Sequence, residues 1–222
     1  MPWGGSGTGT GFVNPISAAL VIAFDGRDSL ASFSNGAAID TWADISGNGR
    51  NATQPTAGKR PLRTTLNGYP AATIDGSISG NKSLQSAAFV QAQPVTYFVV
   101  CRRDVADAGH YIARGGITGS PTGFFTATGD VQMFAGTLAP QLTFATGAAA
   151  ILTGIFNGAS SEIRLNGASA ATGNSGAGGM SSFSIGAATN IAQSSDITLS
   201  CILVYVGALN THLLRGTTFE VT

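Results

Sequence analysis

Residues 41–54 read TWADISGNGRNATQ and are the most informative stretch of the sequence. The side chains of Asp44 and Ser46 can accept hydrogen bonds from the backbone N–H groups that follow them. Gly47 can adopt backbone angles that other residues avoid, and Trp42 offers a large apolar surface with one N–H to place. The pattern predicts a compact loop that folds back over a hydrophobic core. The structural residues predicted for this loop are Trp42, Asp44, Ser46, Gly47, Asn48, Gly49 and Asn51.

On both sides of the loop, short apolar segments alternate with clusters of Gly, Asn, Asp, Ser and Pro, a spacing typical of a β-sandwich. The predicted strands are Leu20–Phe24, Ala71–Ile74, Val95–Arg102, His110–Arg114, Phe124–Thr126, Val131–Ala135, Leu142–Phe144, Ala150–Phe156, Ser161–Leu165, Ser182–Ile185 and Ile197–Val206. Two of them, Val95–Arg102 and Ile197–Val206, are apolar at successive positions. This predicts strands that are buried on both faces at the centre of the sandwich.

Asn-Gly pairs mark the tight turns, because both residues tolerate the positive φ of a two-residue hairpin. Residues 153–171, TGIFNGASSEIRLNGASAA, contain two such pairs and predict a three-stranded meander with its sharper turn at Asn166–Gly167. Helix signals are few, and Ala208–Gly216 is the candidate for a short helix that ends at Gly216.

The composition and charge of the chain exclude several classes of protein. The chain has 222 residues, of which 31 are Gly and only 10% are charged, and its net charge is zero. A nucleic-acid-binding protein needs an excess of Lys and Arg, and a coiled coil needs many Glu, Lys and Arg residues, so this composition excludes both. Apolar residues make up 43% of the chain, enough for a sizeable core. A surface with so little charge is expected to be covered by copies of the same chain or by a larger assembly.

Residues 1–15 form a Gly-rich N-terminal arm, and residues 16–222 are predicted to form one domain. An arm of this composition becomes ordered only where something holds it. It can lie along its own domain or against a neighbouring subunit, and the second arrangement is favoured. The predicted assembly contacts of the arm are Trp3, Phe12 and Val13.

Cys101 and Cys201 each lie in the middle of an apolar strand, within VTYFVVCRR and TLSCILVYVG. We expect both to be buried, reduced thiols that act as small hydrophobic side chains. A disulfide between them requires that the two strands be neighbours in one sheet.

The sequence is not expected to enter a membrane. The longest apolar stretch near its start, Ile16–Phe24, is about half as long as a membrane-spanning helix. Residues 1–11, MPWGGSGTGTG, contain no basic residue of the kind that opens a signal peptide, so we expect a protein that is made and kept in a cytoplasm.

Several further motifs follow one another in a recognisable order around the loop. FDGRD (residues 24–28) precedes it, and NGYPAATIDGS (residues 67–77) and TYFVVCRR (residues 96–103) follow it. IFNG, RLNG, SIGA and LVYVGAL come later. In this order they resemble the concanavalin A-like lectin/glucanase superfamily, in the laminin-G-like branch found in bacterial surface and phage proteins, over roughly residues 20–210.

The resemblance implies an all-β fold, a jelly roll of two antiparallel sheets. It also implies a scaffold that serves binding or structural roles more often than catalysis, although a fold alone does not determine function. The chain departs from the family at its end, where NTHLLRGTTFEVT is shorter than the amphipathic helix that members usually carry.

The carboxylates argue against glycoside hydrolysis. Glycosidases of this fold use paired carboxylates, usually on one strand as Glu-x-Asp-x-Glu. Glu162 has no acidic neighbour at strand spacing, and Glu220 lies close to the end of the chain. Asp25 and Asp28 are three residues apart, so a strand would point them to opposite faces. Neither histidine is near a recognisable nucleophile, and we expect the chain not to be an enzyme.

Calcium is the metal to consider, because it prefers oxygen ligands on loops. The weak candidates for its ligands are Asp25, Asp28 and Asp75. The favoured alternative is that these carboxylates cap turns, as Asp75 in IDGS and Asp44 in ADISG are placed to do. We therefore expect no cofactor.

A sugar-binding surface needs exposed aromatic rings beside polar groups. The aromatic candidates are Trp42, Tyr69, Tyr97, Tyr111 and Phe124–Phe125. Most of them lie in predicted strands and are expected to belong to the core.

Two basic groups are expected at the surface. Lys59, Arg60 and Arg63 should form a solvated edge or a contact between subunits. The segment Arg102–Arg103–Asp104 should form local ion pairs where its strand ends.

These features together predict a non-enzymatic virion structural protein, a phage capsid decoration protein or a head or tail fibre component. It would assemble as a homo-oligomer, with a trimer favoured. Its sandwich surface and its arm would form the contacts between subunits. It would also contact other virion proteins such as the major capsid protein. The alternative is a lectin-like module that binds host or environmental glycans. Both hypotheses exclude nucleic acid and membrane as partners.

Overall fold

A computed structural model of the chain describes residues 19–76, 82–116, 119–167, 169–187 and 194–209. Its strands are β1 (Leu20–Asp25), β2 (Thr41–Trp42), β3 (Ala52–Thr53), β4 (Leu62–Leu66), β5 (Tyr69–Ile74), β6 (Leu84–Ser86), β7 (Val95–Arg103), β8 (Tyr111–Arg114), β9 (Gly123–Ala127), β10 (Asp130–Phe134), β11 (Leu138–Thr143), β12 (Ala149–Phe156), β13 (Ser161–Leu165), β14 (Ser169–Gly173), β15 (Ser184–Ile185) and β16 (Ile197–Val206). One short helix, α1 (Gly26–Ser29), follows β1, and Ala57–Lys59 and Gly158–Ser160 form 3-10 turns.

The strands form two sheets that pack on each other around a common core, and neighbouring strands within each sheet are antiparallel. The first sheet has the order β14–β13–β12–β7–β16–β5–β4, and β1 also pairs with β16. The second has the order β11–β10–β9–β8–β15–β6–β3–β2. The predicted all-β antiparallel sandwich is therefore confirmed.

The centre of the first sheet is formed by β7 and β16, which are neighbours and are buried along almost their whole length. Both strands were expected to be buried on both faces, and this is confirmed. The predicted meander corresponds to β12, β13 and β14, with Asn166 at φ 52° in its sharper turn. The sequence pattern does not predict some of the short strands. β2 and β3 have only two residues each, and β4, LRTTL, is mostly polar.

Aromatic side chains fill the space between the sheets. The Phe24 ring packs on Trp42 and Phe183 at centroid distances of 5.9 and 6.0 Å. Tyr97 packs against Phe156 at 4.9 Å and is fully buried. Its hydroxyl shares a hydrogen bond of 2.7 Å with Thr122, which satisfies the polar end of the ring inside the core.

The two cysteines lie on neighbouring strands but on opposite faces of the first sheet. Cys101 belongs to the core between the sheets, whereas Cys201 belongs to a second apolar cluster with Phe98 and Tyr205 on the other face. Both are free, buried thiols, and burial raises the pKa of each above its ordinary value.

The expectation that Arg102–Arg103–Asp104 lies at the surface is wrong for Arg103. Arg102 does pair with Asp104, at 2.6 Å and partly exposed. Arg103, the next residue, points to the opposite face of the strand and is only 1% exposed. Its guanidinium donates to backbone carbonyls of the neighbouring loops, which makes its burial tolerable.

Some predictions fall outside the described residues. These are the arm, residues 1–15, with Trp3, Phe12 and Val13, and most of the proposed helix Ala208–Gly216. Among the described residues, no helix is long and apolar enough to cross a membrane.

Candidate functional site

The outer face of the second sheet carries a continuous row of aromatic and amide side chains. In the strand register, Tyr111 of β8 lies opposite Phe125 of β9, Phe125 opposite Gln132 of β10, and Gln132 opposite Gln141 of β11. Directly opposed residues of antiparallel strands share a face. The four side chains therefore cross the sheet side by side, on the side away from the core.

A second row runs parallel to the first. Arg114 lies opposite Gly123, and Gly123 lies opposite Phe134. A Cβ at Gly123 would lie 3.3 Å from Cγ of Arg114 and 2.9 Å from the carbonyl oxygen of Ala113. The missing side chain therefore gives the Arg114 side chain room beside Gly123.

The side chains of the two rows contact one another. The rings of Tyr111 and Phe125 meet edge to face with centroids 4.9 Å apart, and Tyr111 and Phe134 do so at 6.4 Å. Cζ of Arg114 lies 4.5 Å from the centroid of the Tyr111 ring. We call this surface the aromatic face. It consists of Tyr111, Arg114, Phe125, Gln132, Phe134 and Gln141.

The polar edge of the aromatic face is held together by amide hydrogen bonds. Nε2 of Gln132 donates to Oε1 of Gln141. Nε2 of Gln141 in turn lies 3.4 Å from Oδ2 of Asp130, at the start of β10. Gln141 is exposed and Gln132 is half-buried, so this edge can offer donors and acceptors to a ligand.

Arg114 has an unusual environment for a charged side chain. It is 7% exposed, and its Nε is buried without a hydrogen-bond partner. Its contact is with the Tyr111 ring, and burial lowers the pKa of the guanidinium from its ordinary value. A buried N–H group without an acceptor costs stability, so packing alone does not account for Arg114.

The aromatic candidates from the sequence lie in three places. Trp42, Tyr97 and Phe124 are fully buried in the core, and Tyr69 is 45% exposed on the first sheet. Tyr111 and Phe125 lie on the aromatic face, where Tyr111 is 7% exposed and Phe125 is half-buried.

Sequence reasoning missed four residues of the aromatic face, Arg114, Gln132, Phe134 and Gln141. The signal that could have found Gln132 and Phe134 is the alternation in residues 130–134, DVQMF. There the apolar Val131 and Met133 face the core and the residues between them face outward.

The loop of residues 42–51 lies at another place, against the first sheet. The Asp44 carboxylate accepts hydrogen bonds from the backbone N–H groups of Ala23, Ser46 and Arg50 at 2.9–3.0 Å. It also accepts from the Ser46 hydroxyl at 2.9 Å. Asp44 thus connects the loop to β1 through hydrogen bonds to both.

The other loop residues support the same attachment. Nδ2 of Asn48 donates to the carbonyls of Leu20 and Val21, and the Asn51 side chain accepts from the backbone N–H of Asp44. Trp42 is fully buried, and Gly47 and Gly49 have φ values of 88° and 68°. The structure therefore assigns these residues contacts within the fold.

The calcium candidates have protein partners. Asp25 is 1% exposed, caps α1 through the backbone N–H of Arg27 and pairs with its guanidinium. Asp28 and Asp75 also take part in interactions. Within the described ranges, the structure brings together no group of three or more His, Cys, Asp or Glu residues that could hold a metal ion.

No protein-family model matches the sequence, and no curated protein matches it. Solved structures do resemble the fold. Domain 4 of AbnA, a GH43 extracellular arabinanase from Geobacillus stearothermophilus, in complex with arabinotriose, is similar with a TM-score of 0.66 and 14% identity over 90% of this chain and 98% of that one. Trypanosoma rangeli sialidase in complex with the inhibitor DANA is similar with a TM-score of 0.62 and 15% identity, over 90% of this chain and 32% of the sialidase. The binding domain of Paraclostridial Mosquitocidal Protein 1 is similar with a TM-score of 0.59 and 14% identity, over 89% of this chain and 51% of that one.

The chain thus spans about a third of the sialidase and about half of the toxin binding domain, but almost all of the arabinanase domain. At these identities the likeness establishes the β-sandwich fold.

Proposed function

We propose that this chain is a carbohydrate-binding module and that its aromatic face holds the glycan. The observation that carries the proposal is the group of three aromatic rings, Tyr111, Phe125 and Phe134, on the outer side of a sheet, next to the amides of Gln132 and Gln141.

Such a surface suits a sugar for a physical reason. One side of a sugar ring is apolar C–H surface, which packs on an aromatic ring, while its hydroxyl groups need donors and acceptors at the rim. The half-buried rings of Phe125 and Phe134 supply the stacking surface, and the buried Tyr111 ring packs against both of them. The Gln132–Gln141 pair supplies both a donor and an acceptor. A surface that served only solubility would not need three contacting rings.

The solved structures support the proposal by what their names state. The arabinanase domain that matches over 98% of its length is in complex with arabinotriose, and the toxin fragment is a binding domain. The virion hypothesis has no comparable support among them.

We propose further that the module binds without catalysis. Glu162 pairs with Arg164 on β13 of the first sheet, away from the aromatic face. Asp130, at the polar edge, has no second carboxylate on β10 to act with. The carboxylate pair that glycoside hydrolysis requires is therefore missing from the described part of this face.

The test is a glycan array followed by titration calorimetry on the wild type and two matched variants. Phe125→Ala removes a ring from the aromatic face. Tyr69→Ala removes an exposed ring from the first sheet and serves as the control. We expect Phe125→Ala to weaken binding about 10-fold or more and Tyr69→Ala to leave it unchanged. Absence of any glycan ligand, or equal effects of the two variants, would overturn the proposal.

Assembly into a virion remains a proposal from the sequence, supported by the low charge of 10% and by the arm. It is compatible with glycan binding, because a module on the surface of a particle can do both. Light scattering of the full chain and of a chain without residues 2–12 tests it. A homo-oligomer, such as a trimer, that falls to a monomer without the arm supports assembly, and a monomer in both cases contradicts it.

A further inference from the structure

We infer that the aromatic face takes an acidic glycan, a saccharide that carries a carboxylate or a sulfate group, and that Arg114 binds the acid group. The inference rests on the proposed function and adds the chemical class of the ligand.

Arg114 differs from the other arginines of the described residues. Each of the other seven has an acceptor at hydrogen-bond or ion-pair distance; they are Arg27, Arg50, Arg60, Arg63, Arg102, Arg103 and Arg164. Arg114 lies over the Tyr111 ring, and within the described ranges its guanidinium has no such acceptor. Its Nε is buried, so water does not replace the missing partner of that atom.

Within the described ranges, no carboxylate of the protein pairs with Arg114 on this face. Asp130 carries the carboxylate of β10 and begins that strand, whereas Phe134, which faces Arg114 across Gly123, ends the strand. Four residues of strand place Asp130 about 13 Å from Phe134. Asp130 is also engaged by the Gln141 amide. With no carboxylate of the described residues beside Arg114, the anion that pairs with it would come from a ligand.

The geometry fits an anion on a sugar. A guanidinium presents parallel N–H groups that match the two oxygens of a carboxylate or sulfate. The Nε of Arg114 is shut off from solvent, so its terminal Nη1 and Nη2 atoms are the ones that a ligand can reach. Phe134 flanks this position across Gly123, and the sugar ring that carries the acid can pack there.

The same arrangement fixes the orientation of the glycan. The acid group lies at Arg114, and the hydroxyls of the following sugars point toward the Gln132–Gln141 edge. A neutral sugar offers the guanidinium hydroxyl acceptors but no negative charge, so the face favours acidic over neutral glycans.

The experiment is an array that holds carboxylated, sulfated and neutral glycans, including polygalacturonate with its methyl ester and dextran sulfate with dextran. Wild type, Arg114→Met and Lys59→Gln are compared on it and in titrations at low and physiological salt. Lys59→Gln removes the same charge from the 3-10 turn Ala57–Lys59, outside the aromatic face. We expect acidic glycans to be the ligands, Arg114→Met to weaken their binding about 10- to 100-fold, and Lys59→Gln to bind like the wild type.

The outcomes separate the two proposals. Binding of neutral glycans alone, weakened by Phe125→Ala, overturns the acidic ligand and supports the binding module. Acidic glycans that bind Arg114→Met as tightly as the wild type also overturn the role of Arg114. A preference for the carboxylated or for the sulfated arm identifies the acid group and supports the inference. Absence of binding to every glycan overturns the proposed function itself.

Discussion

Replacing Arg103 with Met should destabilise the sandwich by about 3–5 kcal/mol, the cost of removing one partner from a buried, hydrogen-bonded charge. The Arg103 guanidinium is 1% exposed and also pairs with the Asp107 carboxylate at 3.3 Å. It donates to five backbone carbonyls, those of Val105, Asp107, Ala127, Asp130 and Phe144. Met would fill much of the space but leave these carbonyls without donors, at about 1–3 kcal/mol for each that water cannot reach.

Arg114 is the matched comparison, because it is almost as deeply buried and has no acceptor in the described residues. Arg114→Met removes the cost of an unpaired guanidinium, about 1–3 kcal/mol, and loses the contact with Tyr111, about 0.5–2 kcal/mol. We therefore expect the unfolding free energy to change by between a loss of about 1 kcal/mol and a gain of about 2.5 kcal/mol. Arg103→Met should therefore cost at least about 2 kcal/mol more than Arg114→Met.

The assay is equilibrium unfolding in urea, followed by circular dichroism and by tryptophan fluorescence, for the wild type and both variants. Arg103→Lys is the third variant, and it should fall between the wild type and Arg103→Met, because a lysine keeps the charge but has fewer donors. The reasoning is refuted if Arg103→Met loses less than about 1 kcal/mol, or if Arg114→Met loses as much as Arg103→Met.

Three further predictions follow from the packing. Asp44→Ala should lower the unfolding free energy by about 1.5–3 kcal/mol, because it removes the acceptor that ties the loop to β1, and the shift of the urea midpoint measures this. Cys101 and Cys201 should resist a disulfide-exchange reagent at pH 8 until the chain unfolds, since burial raises the pKa of both thiols. The unfolded chain then loses thiol protons that the folded chain keeps, so stability should fall as the pH rises above about 8.5. Gly154→Ala should cost about 1–3 kcal/mol in thermal unfolding, because its Cβ would lie 2.6 Å from the Phe124 ring.

The sequence predicts strongly apolar strands well and the position of polar residues less well. Ile197–Val206 and Ser161–Leu165 have the predicted bounds, because burial and the Asn-Gly turns specify them locally. Arg102 and Arg103 look alike in the sequence, and the difference between them arises from the side of β7 that each faces. That side depends on the packing of the second sheet, which no local pattern contains.

The same reason explains why the aromatic face was not predicted as a unit. Phe124 and Phe125 are adjacent and chemically identical, yet one is fully buried in the core and the other contacts Tyr111 on the outer side. Strand alternation requires that two successive rings face opposite ways, but it does not say which of them faces outward. The register of β8, β9 and β10 decides this, and it also places Arg114 beside the glycine that makes room for it. A binding surface formed by residues of several strands is a property of their pairing, so its chemistry becomes visible only when the strands are placed side by side.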